Sequence, residues 1–393
     1  MSSGPSGDLD PRDPLALEVL LSEDERTGRD RVRDFLNERV RPDIATLFAE
    51  GRWPRELVPQ LGRLGVLGMH LEGYGCAGAS AVEYGLACQE LEACDSGLRT
   101  FASVQGSLAM TAIHTWGSDE QRTQWLPRLA AGEAVACFAL TEPEAGSDPA
   151  SMRTTARREG GDWVLDGVKR WIGMGSIADV AVVWARADDD VRGFLVPAGT
   201  PGFAAQDITD KLALRASIQS ELRFDGCRVP ASAMLPGAEG LRGPFTCLNE
   251  ARYGILWGVT GAARDCYEAA LCQATERRQF GQPIGSFQLV QERLVEITVA
   301  VARAMLLALH LGRMKDEGRL APAHVSLGKL DNVRAAQRVA RTARALLGGD
   351  GVTLSHPVMR HMANLEAVAT YEGTAEIHTL ILGQALTGHS AFA

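Results

Sequence analysis

The rhythm of apolar positions changes twice along the chain. From about Leu15 to Ala136 they recur every three or four residues: Leu57, Leu61, Leu64 and Leu67, then the stretches Ala81 to Leu91 and Ser107 to His114. That spacing predicts amphipathic helices. Ser22 with Glu25, and Ser118 ahead of Glu120 and Gln121, read as helix starts, because a hydroxyl can accept from free first-turn amides. From Cys137 to about Pro244, short apolar runs alternate with Gly, Pro and Asp. Trp163 to Leu165 before a turn at Asp166-Gly167, Val180 to Ala185, Gly193 to Val196, and Leu222 to Phe224 ending at Asp225-Gly226 read as strands. From Phe245 onward the helical period returns over longer spans. Val290, Leu294, Ile297, Val301, Met305 and Ala308 form one stripe, and Leu330, Val333, Val339, Ala343 and Leu346 a second. Stripes on long helices mark a bundle core or a subunit interface. The expected class is α+β, mainly α. Residues 1–14, rich in Ser, Gly, Pro and Asp, are expected to form a disordered tail. A helical domain over 15–136, a β domain over 137–244 and a helical domain over 245–393 follow.

Composition narrows the partners. With 393 residues, 46% hydrophobic and 23% charged, the chain can bury a large core and is not a disordered protein. A net charge of −9 with scattered basic residues argues against nucleic acid as a partner. The longest apolar stretch, Ile297 to Leu311, is cut by Arg303 and reads as too short to span a bilayer, so no stable membrane insertion is expected. The N-terminus has neither an apolar signal core nor an Arg-rich face, which points to a cytoplasmic protein. The eight cysteines contain no C-x-x-C pair and no zinc spacing, so they are expected to be reduced packing residues, with no metal site.

Gly73-Tyr-Gly75-Cys-Ala-Gly78 has the form G-x-G-x-x-G, with Glu92 nineteen residues after Gly73. A dinucleotide site needs that acidic residue at the end of a second strand. Here Glu92 continues a helical run, so the segment is expected to be a Gly-rich turn between helices.

The segment Ala139-Leu-Thr-Glu-Pro-Glu-Ala-Gly-Ser-Asp148 combines hydroxyls with Gly146, which permits close approach of backbone to a planar ring. It resembles the flavin-loop signature of the acyl-CoA dehydrogenases. Arg277-Arg-Gln-Phe-Gly281 with Gln288, Leu347-Gly-Gly-Asp-Gly351 and Thr370-Tyr-Glu-Gly-Thr374 are similar to that family's second and third FAD segments and its catalytic-base segment, in the same order. Within the family, Gly73 to Gly78, Glu90 to Gly97, Cys247 to Gly254 and Asn364 to Val368 most resemble the glutaryl-CoA dehydrogenase subgroup.

The resemblance implies the family fold: an N-terminal helical domain, a middle β-barrel-like domain and a C-terminal four-helix bundle. It also implies a homotetramer (a dimer of dimers) with FAD, an acyl-CoA substrate and an electron-transfer flavoprotein as electron acceptor. By the same resemblance Glu372 is the base that removes the α proton, while flavin accepts the β hydride. Phe138, Leu140, Thr141, Gly146, Trp171, Ile172 and Gly173 are expected at the flavin, and Ser147 at both flavin and substrate. Arg277, Phe280 and Gln288 are expected on the pyrophosphate and adenosine side, in a neighbouring subunit. Leu347, Gly348, Gly349, Thr374 and Glu376 approach FAD elsewhere. Phe245, Leu248, Asn249 and Arg252 line the thioester path, and Gly373 offers a backbone donor to its carbonyl. Arg99, oriented by Glu92 and flanked by Thr100 and Tyr371, is expected to meet a distal carboxylate, because a cation in an acyl pocket needs an anion. Together these imply oxidative decarboxylation of glutaryl-CoA to crotonyl-CoA and CO2.

Two residues depart from the subgroup: Gly173 stands where a threonine is usual, and Thr100 where a serine is. Three alternatives stay open, the first of them because Gly173 could open the flavin edge to oxygen. They are an acyl-CoA oxidase, a non-decarboxylating dehydrogenase of another dicarboxylyl-CoA or carrier-bound thioester, and a non-catalytic flavin or acyl-CoA binding protein.

Overall fold

A computed structural model describes residues 9–188 and 190–392. Helix α1 (Glu23–Arg39) opens at Ser22, whose hydroxyl accepts from the Glu25 amide at 3.2 Å while the Glu25 carboxylate accepts from the Ser22 amide at 2.8 Å. Helices α2 (Ile44–Glu50) and α3 (Val58–Leu64) end at glycines in left-handed conformation, Gly51 and Gly65. The expected run from Leu57 to Leu67 is therefore cut short at Leu64. α4 (Ala81–Cys94) opens at Ser80 with a second capping box. It breaks at Asp95, whose carboxylate accepts from the Gly97 amide at 2.7 Å and so starts α5 (Ser96–Ala102). The next segment, Ser103–Met110, is a π-helix rather than the regular helix its period suggested. It leads into α6 (Thr111–Trp116) and α7 (Asp119–Ala130), the latter capped by Ser118. Residues 73–78 form a loop in which Gly73, Tyr74, Gly75 and Gly78 all have positive φ, without a strand on either side.

Strands β1 (Ala136–Ala139), β2 (Thr155–Glu159), β3 (Asp162–Gly173), β4 (Val180–Ala187), β5 (Asp190–Pro197), β6 (Phe203–Asp207) and β7 (Gln219–Pro230) form one seven-stranded sheet. β4 pairs with β5 along its whole length and, on its other edge, in parallel with β1 and then β2. β3 continues from β2 to β7, and β7 to β6. The expected turns at Asp166-Gly167 and Asp225-Gly226 are instead bulges within long strands. The β3–β7 register shifts between Leu165 and Gly167, and the Gly226 amide donates to the Asp166 carboxylate at 2.6 Å. An Asp-Gly pair serves a bulge as well as a turn, because both need the same backbone freedom. A second register shift, between Lys169 and Ile172, becomes important at the site.

The last part is helical: α8 (Arg242–Glu276), α9 (Gln288–Asp316), α10 (Pro322–Leu346), α11 (Val358–Thr370) and α12 (Ala375–Thr387). The anticipated stripes face inward: Ile297, Val301 and Ala308 on α9, and Val333, Val339, Ala343 and Leu346 on α10, are buried. α9 runs unbroken for 29 residues and is long and apolar enough to cross a membrane by length and composition, contrary to the expected shortness of its apolar stretch. Its packing against α8 and α10 accounts for the buried part of that apolar surface, while Leu289, Val295, Val299 and Leu306 stay exposed. α8 is the spine, lying against both α4 and α10. Glycines let α4 approach it: a Cβ on Gly258 would overlap the Glu92 carboxylate, and one on Gly261 the Gln89 carbonyl.

Of the expected tail, residues 1–8 lie outside the described residues, and the Pro11 carbonyl accepts from the Tyr267 hydroxyl at 2.6 Å. All eight cysteines are free. Six are buried, Cys76 is half-buried, and Cys272 is exposed rather than packed.

Candidate active site

The loop between α11 and α12 carries Tyr371, Glu372 and Gly373. Glu372 has φ 53° and Gly373 φ 93°, and Thr374 then caps α12 by accepting from the Ile377 amide at 3.3 Å. Glu376 follows, exposed, in the first turn of α12. The Glu372 Oε2 atom is buried and has no hydrogen-bond partner. Burial pushes the carboxyl pKa above its ordinary value, against the opposing pull of Arg99, Lys329 and Arg252. The loop backbone is held from below. Arg252 Nε donates to the Glu372 carbonyl at 2.9 Å, and Lys329 Nζ donates to the carbonyls of Tyr371 and Gly373, the latter at 2.7 Å. His378 lies beneath Gly373, kept neutral by burial with a pKa of about 3.

The α4–α5 break turns Arg99 back onto α4. Arg99 is fully buried, and its Nε donates to Glu92 Oε2 at 2.7 Å while Ser96 donates to Glu92 Oε1 at 2.9 Å. Arg99 Nη2 donates to the Tyr371 hydroxyl, which lies 3.4 Å from the Thr100 hydroxyl. Arg99 Nη1 is buried without a partner. Desolvation would lower the guanidinium pKa, but Glu92, Tyr371 and Glu372 more than offset it, so the group stays charged. Burial lowers the Lys329 pKa to about 7, so below that pH Arg99, Arg252 and Lys329 outnumber ionised Glu92 and Glu372 by one. The pocket can therefore accept a single anionic group at low electrostatic cost.

Above this pocket β1 leads into the 140–148 segment. The Glu142 carboxylate accepts from the amides of Arg153 at 2.6 Å and Thr154 at 2.9 Å, and from Lys169 Nζ at 2.8 Å. Lys169 also donates to the Leu140 carbonyl at 2.9 Å. Phe138, Leu140 and Ile172 are buried, Thr141 is half-buried, and Gly146 and Ser147 are exposed, with open space around Gly146. The second register shift of β3 puts Trp171 at φ 63° and turns it out of the sheet, leaving it 53% exposed. A Cβ at Gly173 would come within 2.9 Å of Val104 in the π-helix, so the space beside residue 173 is already filled. The open space at Gly146 and the exposed indole of Trp171, beside buried Phe138, Leu140 and Ile172, suit a planar isoalloxazine ring.

Phe245 is exposed, and Leu248 and Asn249 are half-buried, in the first turns of α8. Arg252 is committed to the loop backbone rather than free along the thioester path. Arg277 is not brought to this pocket: it lies twenty-five residues beyond Arg252 at the far end of α8, about 37 Å away at the helical rise. Near it Phe280, 94% exposed, and Gln288 line an open cleft of about 710 Å³. Leu347 is buried, while Gly348 and Gly349 have open space where a side chain would be. Lys329, His378 and the Glu142–Lys169 pair were not among the expected site residues. Lys329 had a readable signal, since it stands four residues from both Val325 and Val333 on the buried face of α10.

Family models for the acyl-CoA dehydrogenase N-terminal, middle and C-terminal domains match residues 22–133, 137–227 and 238–387. A curated relative, the human short-chain specific acyl-CoA dehydrogenase, mitochondrial, is 34% identical over 358 residues, covering 89% of this chain and 87% of that protein. A crystal structure of glutaryl-CoA dehydrogenase from Mycobacterium smegmatis is 59% identical with a TM-score of 0.97, covering 98% of this chain and 100% of that one. A glutaryl-CoA dehydrogenase structure from the same organism in complex with FADH2 is 55% identical, also with a TM-score of 0.97 and the same coverage.

Proposed function

The chain belongs to the acyl-CoA dehydrogenase family, and from that premise we propose that it converts glutaryl-CoA to crotonyl-CoA and CO2. It is an FAD-dependent enzyme that oxidises an acyl-CoA thioester at Cα–Cβ. Bound FAD supplies the acceptor for the β hydride. Glu372 takes the α proton, its basicity raised by burial and its carboxylate unencumbered by a partner. The Gly373 and Glu372 backbone can donate to the thioester carbonyl as negative charge develops there. Residues 138–147 and 171–173 hold the flavin ring, residues 277–288 of a neighbouring subunit hold its pyrophosphate and adenosine side, and Gly348 and Gly349 approach FAD from another side.

The observation that carries the substrate choice is Arg99. A fully buried guanidinium with one nitrogen unpartnered, beside the base, leaves a place for a carboxylate at the distal end of a short acyl chain. After Cα–Cβ oxidation that carboxylate leaves as CO2 because its electrons delocalise into the enoyl thioester, and the resulting dienolate is protonated. The family reading also carries a homotetramer passing electrons to an electron-transfer flavoprotein. An anaerobic titration with glutaryl-CoA tests the whole proposal: the flavin should bleach, with crotonyl-CoA and CO2 released. Arg99→Ala should lower kcat/KM for glutaryl-CoA by about 30-fold to several thousandfold, the range for truncating one partner of a buried charge pair, and affect butyryl-CoA far less. Equal loss on both substrates would reject the distal-carboxylate role.

A further inference from the structure

A helix leaves its last carbonyls unpartnered and carries partial negative charge at that end. Tyr371, Glu372 and Gly373 follow the end of α11, and Glu372 has a left-handed φ that a non-glycine residue keeps only when its surroundings enforce it. The enforcement comes from two cations on different helices. Lys329 of α10, 1% exposed, donates to the carbonyls of Tyr371 and Gly373 and lies 3.4 Å from that of Glu372. Arg252 of α8 takes the Glu372 carbonyl. A buried lysine beside a carboxylate would ordinarily pair with it, yet this one is committed to the backbone and Glu372 Oε2 stays bare.

We propose that Lys329 is a positioning residue for the catalytic base: its ammonium grips the carbonyls flanking Glu372, holding the left-handed turn while leaving the carboxylate free to take a proton. The proposal rests on the reading of Glu372 as the base. The charged or titratable groups facing Glu372 are Glu92 from α4, Arg99 from α5, Arg252 from α8, Lys329 from α10 and His378 from α12, with Tyr371 beside it. His378 is neutral, so Lys329 is one of three cations that hold the Glu372 pKa down against burial. Removing it raises that pKa, and the acid limb of proton abstraction moves to higher pH.

The test uses FAD-loaded wild type, Lys329→Met and Lys329→Arg. Anaerobic flavin bleaching is followed against pH with glutaryl-CoA and with butyryl-CoA, and rates are taken per bound flavin. Lys329→Met should bleach about 100-fold more slowly, as expected for a misplaced reacting group, with KM little changed and the acid limb shifted to higher pH. Infrared titration of the Glu372 carboxyl in the apoprotein should show the same shift. Lys329→Arg, which keeps the cation, should keep the wild-type limb. Wild-type rate and an unshifted limb in Lys329→Met would overturn the proposal. If that variant does not fold, a shifted limb in Lys329→Arg overturns it and an unshifted limb supports it. Glu372→Gln run in parallel separates the two readings: undiminished bleaching there would reject the base assignment, whatever Lys329 does.

Discussion

At Glu372 the chain does three things that each carry a cost. It buries a carboxylate, leaves one of its oxygens unpartnered, and places a non-glycine residue at positive φ. Such features persist where function requires them, and here they converge on one side chain. Glu372→Gln keeps the volume and removes the basicity, so flavin bleaching by substrate should fall by about 10²- to 10⁴-fold while flavin content stays at the wild-type level. Stopped-flow absorbance with a flavin-to-protein ratio checks both halves. The partnership of Arg99 with Glu92 was legible only through the resemblance of residues 90–97 to the glutaryl-CoA dehydrogenase subgroup, and the structure joins the two at 2.7 Å. The grip of Lys329 on the loop was not, because nothing in a stripe of mostly apolar residues says which backbone a buried lysine will meet forty residues later.

Elements were legible where local chemistry decides them and illegible where tertiary contact does. The capping boxes at Ser22 and Ser118 needed only their own four residues. The π-helix and the bulges of β3 needed the neighbours against which they are formed, and an Asp-Gly pair alone does not distinguish a bulge from a turn. Helix α4 illustrates how such contacts stabilise. Its Glu90 carboxylate, 2% exposed, takes Arg264 of α8 at 2.7 Å through both oxygens and Arg33 of α1 at 2.9 and 3.1 Å. Burial alone would raise the Glu90 pKa, but Arg264 and Arg33 bring it from 4.5 down to about 2. A carboxyl depressed on folding stabilises above its unfolded pKa, and the contribution is lost as pH falls through the window from 4.5 to about 2. The shift corresponds to about 3 kcal/mol. Urea denaturation across that window should show wild type losing stability as pH falls, and Glu90→Gln losing less.

On the scale of the whole molecule, the surface left over is informative. Phe280, Leu289, Val295, Val299 and Leu306 are large, apolar and exposed, and four of them lie on α9. A monomer rarely leaves so much apolar surface bare. Arg277 and Phe280 also lie a helix length from the base on their own chain. Both facts favour an assembly in which one subunit completes its neighbour's FAD site. Leu289→Asp places a charge on that surface and should move the protein from the proposed tetramer toward smaller species in size-exclusion chromatography with light scattering, with flavin lost alongside. Wild-type mass and flavin content in that variant would count against the shared site.

The outward turn of Trp171 has an optical consequence. Five of the other six tryptophans, Trp53, Trp125, Trp163, Trp184 and Trp257, are buried, and Trp116 is half-buried. Collisional quenching of apoprotein emission by iodide should therefore fall mainly on Trp171. Flavin seated against that indole would shield it and drain its excited state, so cofactor occupancy becomes readable from fluorescence without any substrate. Trp171→Phe should abolish most of the iodide-sensitive signal while leaving the buried emission unchanged.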